Sequence, residues 1–305
     1  MGSFSLVLSQ MAFLFTCILL GYIISRLRVL PENADKVLSK LETYVLAPAL
    51  VINSFRTNCT PENLSDNASL IGYSCILLGV SLVMTLAVAP LFTKDPEEIG
   101  VYRYSLLVPN YGFMGNALVQ GLYGEEGLFR FLIFSLPVTA FVYGVGVMWL
   151  TAGRQKVTWK SFVNPSFLSM IIGLLLGVTG LPLPAFVTKT VSSCAACFSP
   201  IAMILTGIVI AHFDLKELFS QKKVYVLTLV RIIIIPLIVF AAVRALHLPQ
   251  TAAHMIIIFS VMPLGMNTII YPAAFGLNEK PGASMAVISN IIGLITVPAL
   301  LSFML

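Results

Sequence analysis

Charge is what this chain has least of. Only 10% of its 305 residues are Asp, Glu, Lys or Arg, while 58% are hydrophobic; soluble domains carry roughly 25% charged residues. A surface so poor in charge faces lipid rather than water, and the chain reads as an integral membrane protein. Histidine is nearly missing as well. The three present, His212, His247 and His254, are scattered near the ends of apolar runs and offer no metal set or proton relay. Cysteine is scarce, and although Cys194 and Cys197 form a CxxC, no further Cys or His lies nearby to complete a metal site. That pair reads as two small residues one helical turn apart. There is no GxxxxGK[ST] phosphate loop, so the chain is not itself an ATPase. No nucleophile, base and orienting group occur together, so no catalytic residue is assigned and no metal or cofactor is implied. The net charge of +5 is dispersed over short loops instead of gathered in a patch, which argues against a nucleic-acid partner.

What is abundant is apolar length. Windows of about 19 residues give ten spans, at roughly 4–25, 37–55, 70–92, 102–123, 128–151, 167–183, 187–212, 224–246, 252–275 and 284–304. The first has no basic residue before it and is longer than a signal-peptide core of about 7 to 15 residues, so it reads as a membrane helix. The longest polar connection, 152–165, is only a linker. Basic residues set the orientation. Arg26, Arg28, Lys36, Lys40, Lys94, Arg103, Arg154, Lys156, Lys160, Lys216, Lys222, Lys223 and Lys280 border the loops after odd-numbered spans, against Arg56, Arg130, Lys189 and Arg244 on the other side. The positive-inside rule then places both termini outside the cell membrane and the linker in the cytoplasm.

An internal repeat is visible. Pro48, Pro96, Pro109 and Glu125 recur as Pro200, Pro249, Pro263 and Glu279, each pair separated by 152 to 154 residues. Five spans per copy is an odd number, so the second copy enters the membrane upside down. The expected fold is all-α: ten transmembrane helices as two inverted five-helix repeats, 1–151 and 166–305, joined by the linker.

Two spans are interrupted. LLVPNYGFMGNALVQGLYG (106–124) carries Pro109, Asn110, Gly112, Gly115 and Asn116, and SVMPLGMNTIIYPAAFG (260–276) carries Pro263, Gly265 and Asn267. Pro removes a backbone donor and Gly relaxes the backbone, so helices four and nine are expected to break at mid-membrane. Paired broken helices in corresponding halves mark transporter binding sites. Each second half offers a helix N-terminus with unpaired N–H groups and about half a positive charge, for which an anion is the natural guest. Asn110, Asn116 and Asn267 add amide donors and acceptors, unless they only satisfy backbone groups freed by the breaks. Arg231 is a full charge inside span eight, readable either as a charge partner of an anionic substrate or as a snorkelling residue. No Asp or Glu falls in spans four or nine, which leaves proton or sodium coupling through a carboxylate there unsupported. Gly173 and Gly177 form a GxxxG, a close-packing motif that serves either a dimer seam or, more commonly, packing within one subunit. The sequons at Asn58, Asn63 and Asn67 read as loop polarity.

The Pro109-Asn110, Gly112, Gly115-Asn116 and Pro263, Gly265, Asn267 pattern, with ten spans and a central linker, resembles the auxin efflux carrier family across essentially the whole chain. That family lies within the bile acid, arsenite and riboflavin transporter superfamily and includes plant PIN-FORMED carriers and bacterial malate or malonate permeases. The resemblance implies a dimerising scaffold of helices 1, 2, 6 and 7 and a transport bundle of helices 3–5 and 8–10, moving as an elevator. The plant carriers' long cytoplasmic loop and Asn-Pro-Asn-Thr-Tyr motif are absent, which points from auxin towards other organic anions, dicarboxylates among them. The expected function is therefore secondary-active transport of a small organic anion. The alternative is a receptor that kept the carrier fold and binds without transporting.

Overall fold

The computed structural model describes residues 3–158 and 164–305, so Lys160 and part of the expected linker lie outside the described residues. Among the described residues every regular element is helical. Helix α1 is Ser3–Arg26. Helix α2 covers 34–58 in three parts, Ala34–Leu41, a π-helical turn Glu42–Leu46, and Ala47–Asn58. The widened turn has a cause: Pro48 has no N–H, and its ring crowds the carbonyl four residues back. Helix α3 is Pro61–Leu91 and α4 is Pro96–Leu107. After an interruption, α5 runs over 111–123 and, past a left-handed Gly124 (φ 67°), α6 over 125–150. The second half contains α7 (Pro165–Thr179), α8 (Ala185–Ala211) and the short α9 (Leu215–Ser220). Helix α10 covers 222–245 and again has a π turn, Val230–Ile234, two residues before a proline, Pro236. Helices α11 (Gln250–Val261), α12 (Asn267–Ala274) and α13 (Lys280–Met304) complete the chain.

Among the described residues six helical stretches are long and apolar enough to cross a membrane: Phe4–Arg26, Pro61–Leu91, Pro96–Leu150, Ala185–Ala211, Lys223–Ala245 and Lys280–Met304. The third is 55 residues long, broken after α4 and again at Gly124. Pro165–Thr179 and Gln250–Val261 are apolar but shorter. Large apolar side chains stand on the outer surface, Leu91, Phe186, Ile295 and Val83 being at least 70% exposed. In water such a surface would drive association; in a bilayer it is the solvated face. The protein is thus an all-helical, multi-pass membrane protein.

Packing follows small residues. Helix α1 lies along α8, where Gly21 faces the Ile204 carbonyl and Gly207 faces that of Ile18, so closely that a Cβ at either would overlap it. Helix α7 packs on α2 through the GxxxG pair: Gly173 meets Phe55, and a Cβ at Gly177 would sit 2.6 Å from the Phe55 carbonyl. That motif is therefore occupied inside the chain. The sequon amides are also engaged, Asn58 Nδ2 donating to Ser54 O, Asn63 Nδ2 to Asn58 O and Asn67 Nδ2 to Asn63 O. Lys280 at the start of α13 pairs with Glu217 of α9 at 2.5 Å.

One local sequence of elements occurs twice. A 12-residue helix, a non-helical stretch, a second helix, a left-handed glycine and a long helix follow one another as α4 to α6 with Gly124, and as α11 to α13 with Gly276 (φ 64°).

Candidate functional site

Both interruptions arise where proline dictates. The residue before a proline is pushed out of the helical region, and Val108 (φ −108°, ψ 108°) and Met262 (φ −63°, ψ 138°) are both extended. Each helix stops there, and the freed backbone groups must find partners inside the bundle. They find them across the break. The Asn110 N–H donates to the Pro263 carbonyl at 2.7 Å, joining the two interruptions. Gly265 lies flat against Asn110, so a Cβ there would touch the Asn110 Cα at 3.4 Å. Leu264 is held on both sides by α13: its N–H donates to Ser289 Oγ (3.0 Å), and its carbonyl accepts from Asn290 Nδ2 (3.0 Å).

Beside this crossing lies a cavity of about 550 Å³. Of the residues expected at the site, Pro109, Asn110, Gly112, Asn116, Gly265 and Asn267 line it. The other three do not. Gly115 is turned to the Phe131 ring, and Pro263 lies behind the break against Gly293. Arg231 sits in the π turn of α10, 2% exposed, and Nη1 donates to the Ser260 carbonyl at 2.8 Å. Ser260 belongs to the last turn of α11, where carbonyls lack helical partners and a cation is favoured. Burial at 2% also rules out snorkelling to the surface in this conformation.

The three asparagines differ in what they still offer. Asn110 Nδ2 is buried and has no partner. Asn116 Nδ2 donates to the Gly112 carbonyl at 2.7 Å, leaving its Oδ1 unpaired. Asn267 Nδ2 donates to the Tyr104 hydroxyl at 2.8 Å. Asn116 thus does satisfy freed backbone, while the Asn110 amide points at nothing in the protein.

Several lining groups escaped the sequence reading. Tyr104, Tyr111, Tyr143 and Tyr271 put phenols around the cavity, with the Tyr111 hydroxyl 2.9 Å from Thr139 Oγ1. Their signal was hidden, since Tyr is ordinary in membrane helices. Glu42 also lines the cavity, from the π turn of α2, and is 2% exposed. A lone acid inside the apolar run 37–55 was visible, but only the fold brings it opposite the broken helices. Among the described lining residues there is no Lys, Arg or His.

Interrupted helices that meet beside a polar-tipped cavity, in a multi-pass helical protein, define the transporter class. The comparisons agree. The profile of the family described as membrane transport protein matches twice, over residues 6–156 and again over 150–301. The chain belongs to that family, the one that contains the auxin efflux carriers. It is similar to an uncharacterized transporter of Methanocaldococcus jannaschii, 23% identical over 92% of this chain and 93% of that protein. A second uncharacterized transporter, from Methanothermobacter thermautotrophicus, is 24% identical over 98% of this chain and 97% of that protein. A third, from Schizosaccharomyces pombe, is 26% identical over 33% of this chain and 23% of that protein. Family and relatives are membrane transporters, not enzymes.

Proposed function

We propose that the protein is a secondary-active transporter of a small organic anion, bound where the two broken helices cross. The observation that carries this reading is the Asn110–Pro263 crossing beside the cavity, with the Asn110 amide buried and unpaired. An unpaired buried donor costs about 1–3 kcal/mol, which a ligand acceptor offsets. The start of α12, at Asn267, supplies further N–H groups and a partial positive charge at the same wall. A carboxylate is an acceptor of the right sign, and the cavity volume suits a dicarboxylate the size of malate or malonate with its water.

The architecture in this reading is ten spans in two inverted repeats of 1–151 and 166–305. The doubled element order and the two profile matches support it. The mutual packing of α1, α2, α7 and α8 supports a scaffold against which the remaining helices move as an elevator, with the scaffold as the seam of a homodimer. In this reading the protein lies in the cell membrane, with both termini outside and the linker in the cytoplasm.

The test is uptake of a labelled organic-anion panel into proteoliposomes. Saturable flux of at least one member is the expected result. Binding without flux would instead favour a receptor that retained the carrier fold.

A further inference from the structure

We propose that Glu42 is a proton-binding site of the transport cavity, so that an anionic ligand and a proton occupy the cavity together. This rests on the anion reading above and deepens it.

Glu42 lines the cavity together with Asn110, Asn116 and Asn267. It is 2% exposed, and its Oε1 is buried without a hydrogen-bond partner. Among the described residues, no donor reaches that oxygen and no cation lines the cavity. On its own helix Lys36, Lys40 and Tyr44 are exposed and Asp35 and Arg56 half-buried, and none of them lines the cavity. Helices α7 and α8 pack against its turn. Among their residues α7 brings no titratable side chain, and Lys189, Cys194 and Cys197 of α8 stay out of the cavity lining. Among the described lining residues the other ionisable groups are the phenols of Tyr104, Tyr111, Tyr143 and Tyr271, none of which can supply positive charge.

Two negative charges in one enclosed, weakly polar site repel each other strongly, and one of them is driven neutral. With no ligand bound, Glu42 is the one carboxyl among the described lining residues, and no second negative charge opposes its ionisation. Once a ligand carboxylate takes the free amide and the helix N-terminus, the two charges face each other across the cavity. Glu42 then takes one proton from the water on the side to which the cavity opens, and releases it when the ligand leaves. The π turn that holds Glu42 is required by Pro48 and presents the carboxyl inward.

The experiment uses the full chain in detergent, with malonate as probe, over a pH range in which malonate stays fully ionised. Infrared difference spectra on adding malonate should show a protonated carboxyl band that is missing in Glu42→Gln. A pH dye in weak buffer should report uptake of about one proton per bound malonate in the wild type and none in the variant. Linkage then makes the wild-type affinity fall by up to tenfold per pH unit on the alkaline side, whereas Glu42→Gln binds with a flat pH profile. Glu42→Asp keeps the titrating group and should restore proton uptake even if Glu42→Gln folds poorly. A wild-type spectrum without a Glu42-dependent band, or equal pH dependence in wild type and Glu42→Gln, overturns the proposal. If malonate does not bind at all, the dicarboxylate reading fails separately. A pH titration of the carboxyl band without ligand then decides for Glu42: a band that Glu42→Gln lacks upholds a proton site, and none refutes it.

Discussion

The amide of Asn110 and the carbonyl of Pro263, 153 residues apart in sequence, are hydrogen-bonded at 2.7 Å. This bond is made by backbone alone, and it requires both helices to be interrupted at the same depth. Each interruption therefore supplies the partner that the other needs.

Pro109→Ala and Pro263→Ala test that dependence. Alanine at 109 restores an N–H one turn beyond Ser105 and removes the ring that keeps Val108 extended, so α4 can grow through the break. Extension would draw Asn110 away from Pro263. The expected outcome is a fold of about wild-type stability, because the helical hydrogen bond gained offsets the Asn110–Pro263 bond lost, with proteoliposome flux reduced by an order of magnitude or more. Wild-type flux in both variants would show that the breaks are not needed for transport.

The second break leans on α13. Ser289→Ala leaves the Leu264 N–H unpaired, and Asn290→Leu leaves its carbonyl short of a donor. A buried group stripped of its partner costs about 1–3 kcal/mol. Both variants should lower the melting temperature in detergent, and together they should lose less than the sum, since they brace one residue. Unchanged melting would mean that water replaces both partners.

The broken helices were legible because Pro and Gly act locally: Pro109 and Pro263 force the preceding residue to be extended whatever surrounds it. The cavity residues on those breaks followed from the same logic, as Asn110, Asn116 and Asn267 lie within seven residues of a proline. Gly115 and Pro263 are on the breaks but face away, and direction around a distorted helix is not readable from spacing. Arg231, readable as a charge partner or a snorkelling residue because charge inside a span is rare, faces the end of α11. Glu42 was the opposite case. Its charge was visible, but its position opposite the crossing depends on how α2 packs on α7 and α8, a long-range matter that no local pattern encodes.

Close helix contacts give a sharper stability test. Gly207→Val places a side chain into the Ile18 carbonyl and Gly177→Val into those of Phe55 and Cys59. Backbone cannot yield as a flexible side chain can, so α1 must leave α8, or α7 must leave α2. Overpacking of this kind costs about 1–3 kcal/mol or more. Both variants should express poorly or elute as aggregates in detergent, whereas Gly72→Ala, at a position open for a Cβ, should behave as wild type.

Topology is predicted from the loops. Lys156 should be labelled only from the cytoplasmic side, and reporters fused to either terminus should both report the exterior. Termini on opposite sides would demand an odd number of spans and break the division into two five-span units. Both termini inside would reverse the orientation and leave that division intact.

The asparagines separate binding from folding. Asn110 Nδ2 has no protein partner, so Asn110→Ala removes a donor that only a ligand uses while keeping the backbone bond to Pro263. Its melting temperature without ligand should match or exceed wild type, because a buried unpaired donor is gone. Its ligand affinity should fall by roughly 1.5–3 kcal/mol, the worth of a hydrogen bond to a charged acceptor. Asn116→Ala should do more: it strips the Gly112 carbonyl of its 2.7 Å donor, so about 1 kcal/mol of stability should go along with affinity. Asn267→Ala frees the Tyr104 hydroxyl and should give an intermediate result. Ligand-induced thermal stabilisation reads all three on one scale, since it grows as RT ln(1 + [L]/Kd) for a ligand bound only by the folded state. Full stabilisation and wild-type flux in Asn110→Ala would move the binding site away from the crossing, whatever the other two variants do.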